Sequence, residues 1–183
     1  MALYASLPNL SRSVRHKRDM NIPTEHDWTH HLNDLDAAWA KKNFLGKTRE
    51  QAVEMFAENA LIYQEDIMFM PEPCFRFYVH AYIDYLMSDQ SKGDSDGASC
   101  FFGIVEVRKD DILRTPSELR TRFEVLLRRL AERQAWYDAE PDIYGQLKER
   151  SEACLRTIGE SNKALQHTSL RAAAEGQRAV NLK

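Results

Sequence analysis

Residues 74–88 have the sequence CFRFYVHAYIDYLMS, and this stretch decides the fold. Most of its side chains are apolar or aromatic, and the exceptions Arg76, His80 and Asp84 are spaced four residues apart. That spacing places the polar side chains in one narrow stripe along an α-helix. Alternation of apolar and polar residues would also suit a strand, but so narrow a stripe favours the helix. We therefore predict a central helix over 74–88 that is buried on almost every side.

The composition of the whole chain favours a helical domain around that centre. The chain has 183 residues, of which 43% are hydrophobic, 7 are Gly and 6 are Pro. This length fits one domain of roughly 100–200 residues, and so few glycines and prolines argue against a turn-rich β-sandwich. No apolar run approaches roughly 18 residues, so no membrane partner is predicted. The predicted fold class is mainly α, a single-domain bundle of about five to six helices with a long C-terminal helix.

Apolar spacing and capping signals predict the helices that precede the central one. The first helix is predicted over 25–42, with Thr24 at its start. A second helix is predicted to begin after Thr48 and to end within 61–64. Residues 65–73 then form a predicted connector with apolar side chains tucked into the core. The predicted inward-facing residues are Trp28, Leu32, Leu35 and Trp39 on the first helix and Val53, Phe56, Ala57 and Ala60 on the second.

The chain after the central helix is predicted to contain a loop, one segment that fits either a strand or a helix, and further helices. Residues 89–99 form a predicted polar loop, whereas 100–107 fit either a strand or a short helix. Thr115, followed by a proline, predicts a helix over 116–139. The last segment opens at Pro141 and contains a thin apolar seam. The seam residues are Ile143, Leu147, Cys154, Ile158 and Leu165.

Composition divides the chain into three predicted regions. Residues 1–23 form a basic N-terminal arm, whose Ser-rich and basic composition is also typical of a targeting presequence. Residues 24–140 form the helical core domain. Residues 141–183 form a C-terminal helix and polar tail that pack on the core or on a partner, with a homo-oligomer as one option.

Acidic residues concentrate in the front half of the predicted core. Between residues 24 and 72 there are ten acidic residues against four basic ones, although the net charge of the chain is only −3. Glu54 and Glu58 fall on the outward side of the second helix, and Glu65 and Asp66 follow in the connector. A surface of this charge speeds encounter with a basic partner and needs no catalytic group. We therefore expect these four residues to bind a basic protein.

The stripe of Arg76, His80 and Asp84 is the second candidate binding site. A guanidinium on so apolar a helix needs a partner, because an uncompensated buried charge costs several kcal/mol. The four-residue spacing allows His80 and Asp84 to support each other. Glu65 or Asp66, just upstream, is the predicted partner of Arg76. The stripe is then either a structural polar network or the floor of a binding cleft beside the predicted polar loop.

A weak metal-binding pattern lies on the predicted first helix. His26, His30 and Asp34 are spaced four residues apart, so they share one helical face, and imidazole with carboxylate suits a transition metal. The sequence identifies no further ligand. A solvated helix face is therefore the favoured interpretation, and no cofactor is predicted.

The cysteines predict neither disulfides nor nucleophilic catalysis. Cys74, Cys100 and Cys154 are an odd number and do not form a disulfide framework in a chain of this length. They indicate a reducing compartment, so a cytoplasmic location is predicted. Cys74 and His80 are six residues apart on one helix and therefore point in different directions. We predict no catalytic residue.

Basic residues are frequent between 108 and 133, but acidic residues are interleaved with them. Nucleic-acid-binding surfaces are usually more one-sided, so this pattern argues against a nucleic-acid partner. A salt-bridged, solvent-exposed surface is expected instead. The basic residues are Arg108, Lys109, Arg114, Arg120, Arg122, Arg128, Arg129 and Arg133.

One run of residues resembles a pattern found in uncharacterised bacterial helical domains. The run comprises Glu65-Asp66, Met70, Phe75-Arg76-Phe77-Tyr78 and Tyr85-Leu86-Met87-Ser88-Asp89. It covers at most about residues 50–138, implies a bacterial, intracellular, α-helical protein and contributes no functional residue. In general character the chain is also similar to immunity proteins, which neutralise partner toxins.

Two functional hypotheses follow from these observations. The leading one is a non-catalytic protein-protein interaction module, such as an immunity-type inhibitor that binds a basic toxin through its acidic surface. The alternative is an enzyme or a small-ligand-binding protein that uses a polar cleft around Arg76, His80 and Asp84.

Overall fold

The computed structural model describes residues 21–31 and 34–159. Those residues form α-helices and short 3-10 helices and contain no strand, which confirms the predicted mainly α fold. The α-helices are α1 (Leu35–Phe44), α2 (Arg49–Phe69), α3 (Glu72–Met87), α4 (Ser95–Val107), α5 (Lys109–Arg114), α6 (Ser117–Glu132), α7 (Pro141–Tyr144) and α8 (147–159). The 3-10 helices are Glu25–His31, Asp89–Ser91 and Gln134–Tyr137. Within this part of the chain, every helix is too short or too polar to span a lipid bilayer.

Helix α3 forms the centre of the core, as the sequence predicts. Its tyrosines are buried, and each hydroxyl donates a hydrogen bond to a neighbouring element. Tyr78 donates to the carbonyl oxygen of Lys47 at 3.0 Å, between α1 and α2. Tyr82 donates to the carbonyl oxygen of Gly97 in α4 at 2.6 Å, and Tyr85 donates to Asp94 Oδ2 at 2.6 Å. These bonds satisfy the polar ends of large buried rings and connect α3 to the helices on either side.

The predicted first helix over 25–42 was wrong, because the chain breaks it before α1. Asp34 accepts hydrogen bonds from the backbone N–H groups of Asp36 and Ala37 at 2.9 and 3.2 Å, so it caps a new helix. The new start changes the buried face. Trp28 is buried as predicted, but Leu35 is 87% exposed and Trp39 is exposed. Leu32 lies outside the described residues. The residues of α1 that enter the core are Ala37, Ala40 and Phe44.

Helix α2 is longer than predicted, because an internal cap restarts it. Asn59 has extended backbone (φ −161°, ψ 86°), and its side-chain oxygen accepts the N–H of Ile62 at 3.1 Å. The helix therefore continues to Phe69, and the predicted end within 61–64 was wrong. Most of the predicted connector 65–73 is helical. Phe56 and Ala60 are buried as predicted, Val53 is half-buried and Ala57 is exposed.

The predicted loop over 89–99 is also shorter in the structure. Asp94 accepts the N–H of Gly97 at 2.9 Å and caps α4, which begins at Ser95. The segment 100–107, for which the sequence allowed either a strand or a short helix, belongs to this helix. A short 3-10 helix occupies Asp89–Ser91, so only a few residues lack regular structure.

The helix predicted over 116–139 ends earlier. Helix α6 stops at Glu132, and Tyr137 lies in the 3-10 helix that follows. The hydroxyl of Tyr137 donates a hydrogen bond to the carbonyl oxygen of Leu86 in α3 at 2.8 Å. Thr115 does not cap α6, because its hydroxyl donates instead to the carbonyl oxygen of Ile112 at 2.6 Å. Of the predicted C-terminal seam, the buried members are Leu147, Cys154 and Ile158, and Ile143 is exposed. Leu165 and residues 1–20 of the predicted arm lie outside the described residues.

Helices α2 and α4 pack closely through glycine. A Cβ atom on Gly97 would lie 3.0 Å from Cβ of Ala60, and one on Gly103 would lie 3.1 Å from Cε of Met68. Because Gly97 lies beside Ala60 and Gly103 beside Met68, the two helices run side by side in the same direction. A side chain at either glycine would force them apart.

Replacing Gly97 with alanine tests this packing. The new methyl group would lie 2.1 Å from Oδ2 of Asp94 as well as against Ala60, so the cap and the helix must shift. We expect the free energy of unfolding, measured with urea, to fall by about 1–3 kcal/mol. The matched control is Gly159→Ala in α8, where a Cβ atom meets no heavy atom of the described residues within 4 Å. Equal losses in both variants would contradict the close packing.

Candidate functional site

The polar stripe of α3 lies against two neighbouring helices, which supply cations to it. Arg49, at the start of α2, donates from Nε to Asp84 Oδ2 at 2.6 Å. Arg122, on α6, pairs through Nη2 with the other oxygen, Asp84 Oδ1. All three side chains are about one-third exposed, so water screens the pairs and each contributes modestly to stability. The carboxylate of Asp84 therefore joins α2, α3 and α6 at one point.

His80 is the neutral member of this network. The Nη1 atom of Arg122 lies 2.5 Å from His80 Nδ1, so this ring nitrogen accepts a hydrogen bond and the proton resides on Nε2. The pKa of His80 is lowered to about 4. Burial is the largest cause, and the charges of Arg49 and Arg122 act in the same direction and outweigh the opposite effect of Asp84. A neutral imidazole next to a guanidinium is suited to accepting a hydrogen bond.

Arg76 does not have the partner that the sequence predicted. Its Nη2 atom pairs with Glu72, one turn earlier on α3, and also donates to the carbonyl oxygen of Arg114 at 3.2 Å. Glu65 is exposed, and Asp66 is buried and accepts a hydrogen bond from another residue. The prediction that Glu65 or Asp66 pairs with Arg76 was therefore wrong.

Asp66 faces the interior rather than a partner. Its Oδ2 atom accepts a hydrogen bond from the side-chain amide of Asn43 at 2.8 Å. Burial raises its pKa to about 6, although the bond from Asn43 lowers it. Asp66 thus attaches α1 to α2 and takes no part in an exposed acidic surface.

A cavity of about 450 Å³ lies at the start of α3. Arg76 lines it, but His80 and Asp84 do not. The structure therefore divides the predicted cleft in two, with Arg76 at the cavity and the other two residues in the ion network. The lining residues are Asn21, Ile22, Pro23, Thr24, Asp27, Glu72, Pro73, Arg76 and Phe77.

The predicted metal-binding face is interrupted. Asp34 uses its carboxylate to cap α1, and His26 lies in the 3-10 helix that precedes the break. The side chain of His30 lies outside the described residues. In the described part of the chain, no three His, Cys, Asp or Glu side chains are grouped as metal ligands.

The cysteines are poor nucleophiles. Burial raises the pKa of Cys74 to about 12 and that of Cys100 to about 11, so neither forms a thiolate near neutral pH. Cys74 also donates weakly to the carbonyl oxygen of Asp27 at 3.5 Å. These thiols behave as small apolar side chains.

The exposed side of α2 combines carboxylates with large apolar side chains. Glu54, Glu58 and Glu65 are exposed and form no ion pair with any residue that the structure describes. On the same helix Leu61 is 50%, Ile62 55% and Phe69 41% exposed. We call these six residues the exposed α2 surface. The sequence predicted the carboxylates but missed the apolar residues, because the cap at Asn59 was not recognised.

In comparisons with known proteins, no family model, no curated protein and no solved structure matches this chain. The geometry of the residues described above is therefore the basis for the function proposed next.

The pH dependence of stability tests the state of His80. Its ordinary pKa is 6.5 and its folded pKa is about 4, so between these values the unfolded chain takes up a proton that the folded chain does not. Stability contributed by neutral His80 is therefore lost as the pH falls from 6.5 to 4. The size of the loss is about 2–3 kcal/mol.

The wild-type protein alone cannot show this loss, because Asp66 acts in the opposite direction. Its folded pKa of about 6 exceeds the ordinary 3.8, so protonation of Asp66 stabilises the fold over the same pH range. The measurement is therefore the difference in unfolding free energy between wild type and His80→Gln, in which Asp66 cancels. We expect that difference to fall by about 2–3 kcal/mol between pH 7 and 4. A difference that does not change with pH would show that His80 is not held neutral.

Proposed function

We propose that this protein is a non-catalytic interaction module that binds a basic protein through the exposed α2 surface. The single observation on which the proposal rests is that Leu61, Ile62 and Phe69 are exposed on the same helix as three carboxylates that form no ion pair with any described residue. Single exposed apolar residues are common, but several on one helix with a charged border are typical of binding surfaces.

The opposite side of α2 supports the proposal, because it holds the helix rigidly. Phe56, Ala60 and Ile67 are buried, and the ring of Phe56 lies 4.6 Å from that of Tyr82 in α3. A surface fixed in this way loses little conformational entropy when a partner binds. Burial of apolar surface by the partner would contribute about 25 cal/mol per Å² before those costs.

The charge of the surface indicates the chemistry of the partner. Glu54, Glu58 and Glu65 form no ion pair within the described residues, so a basic surface would complement them. Such complementarity increases the rate of association and rejects acidic competitors. A cognate basic toxin has the right chemistry, and the protein would then act as an immunity-type inhibitor in the cytoplasm of a bacterium.

The geometry supports the alternative function, binding of a small ligand, less well. Both carboxylate oxygens of Asp84 and the Nδ1 atom of His80 already bond to arginines, so these atoms are not available to a ligand. One atom at the cavity could still bind a ligand, because the Nε atom of Arg76 is buried and has no hydrogen-bond partner among the described residues. Glu72, however, already holds the same guanidinium.

Photo-crosslinking and charge reversal test the proposed interface. A photoreactive residue at Ile62 should capture a basic protein in the native cells, whereas one at Val125, which is similarly exposed (48%) on α6, should not. With the captured partner purified, Glu54→Lys/Glu58→Lys should weaken binding at least tenfold, which is about 1.4 kcal/mol. Ile62→Ser should also weaken binding while leaving the free energy of unfolding within about 0.5 kcal/mol.

The matched control is Glu106→Lys/Glu149→Lys, which changes the net charge equally at exposed positions on α4 and α8. It should bind as tightly as wild type. Equal capture from both crosslinking positions would exclude α2 as the interface. An equal loss of affinity in both charge-reversed variants would show that binding depends on the net charge of the protein and not on the exposed α2 surface.

A further inference from the structure

The basic residues between 108 and 133 do not form one salt-bridged surface. Arg108 and Arg114 pair with Asp111, and Arg122 pairs with Asp84. Arg129 and Arg133, in contrast, form no ion pair with any described residue. The expected salt-bridged surface is therefore present only in part, since Lys109, Arg120 and Arg128 also form no ion pair with any described residue.

Arg129 and Arg133 lie with Lys92 around one indole ring. The Nζ atom of Lys92 lies 5.5 Å from the centroid of Trp136, and the Cζ atoms of Arg133 and Arg129 lie 5.3 and 6.0 Å from it. We call Lys92, Arg129, Arg133 and Trp136 the Trp136 cluster. It brings together the turn before α4, the C-terminal part of α6 and the 3-10 helix that follows α6.

Hydrogen bonds fix this arrangement independently of the charges. The backbone N–H of Gly93, next to Lys92, donates to the carbonyl oxygen of Trp136 at 2.9 Å. Arg129 donates from Nε to the hydroxyl of Tyr137 at 3.3 Å. The backbone of the turn is therefore fixed to the 3-10 helix that carries Trp136, and the guanidinium of Arg129 is fixed to Tyr137, before any ligand arrives.

Three cations around one ring leave an uncompensated positive charge. Contact with the ring is worth about 0.5–1 kcal/mol per cation at an exposed site, but the ring supplies no net negative charge. A guanidinium that packs on an aromatic ring keeps the N–H groups at its edge free to donate. Glu132 and Asp138 are close in sequence, yet neither forms an ion pair with the cluster.

We propose that the Trp136 cluster binds a small molecule through a chain of two or three phosphate groups. Arginine and lysine are the side chains that recognise phosphate, and their charges match a di- or triphosphate. Lys92 and Arg133 are exposed, so they can reach a ligand from solvent. This site lies on different elements from the exposed α2 surface and does not depend on the proposed function. The shared chemistry is the phosphate chain, whether inorganic or part of a nucleotide.

Indole N–H signals in NMR spectra provide a local test. The three tryptophans are Trp28, Trp39 and Trp136, and Trp136→Phe assigns the relevant signal. Addition of inorganic tripolyphosphate in low salt should shift the Trp136 signal to saturation and leave the other two signals unchanged. Lys92→Met/Arg133→Met should weaken binding at least tenfold, whereas Arg128→Met, an exposed position on the same helix outside the cluster, should not.

Further ligands identify the source of the phosphate chain. Because the cluster recognises phosphates, ATP should bind at least as tightly as tripolyphosphate, and adenosine should not bind. Tighter binding of ATP than of tripolyphosphate would indicate that the natural ligand is a nucleotide. A shift that does not saturate, or that persists unchanged in the double variant, would overturn the proposal. So would tighter binding of a single-stranded oligonucleotide than of either phosphate ligand. The double variant also loses two contacts with the ring, so its free energy of unfolding should fall by about 1–2 kcal/mol, and it should remain folded during the titration.

Discussion

The structure depends on the burial of α3, a helix whose tyrosine hydroxyls and Asp84 carboxylate are satisfied by its neighbours. An unpartnered buried hydroxyl or charge costs as much as several favourable contacts contribute. Tyr78 and Tyr82 therefore fix the α1–α2 connection and the start of α4, and Asp84 fixes the ends of α2 and α6 that carry its two arginines. Each neighbouring helix is placed by a specific bond as well as by apolar contact, which defines one arrangement among the many that burial alone would allow.

This arrangement leaves two surfaces of opposite chemistry. Helix α2 uses one side to cover α3, so its other side presents carboxylates and apolar side chains to solvent. The Trp136 cluster, built on the end of α6 and the turn before α4, presents cations without an ion-pair partner among the described residues. The near-neutral charge of the chain hides this separation. The exposed α2 surface and the Trp136 cluster thus lie on different elements around one core.

Local patterns were predictable from the sequence, whereas partners distant along the chain were not. The stripe on α3 was predicted because its spacing is a property of one helix. Arg49 and Arg122 were missed as partners because they lie 35 and 38 residues from Asp84, and no spacing rule relates them. Asp34 and Asn59 were missed as caps because each lies inside an apolar pattern that looks continuous. Glu72 was missed as the partner of Arg76 because the predicted helix began two residues after it.

Helix α3 is buried on most of its surface, so it should open only when the whole domain unfolds. Native-state hydrogen exchange measures this directly, because the slowest amides report the free energy of global unfolding. The account predicts that the amides of Tyr78, Tyr82 and Leu86 exchange with the free energy obtained from urea denaturation. It also predicts lower protection at the ends of α1 and α7. Exchange of the α3 amides through a smaller opening, at a free energy well below the global value, would contradict the account.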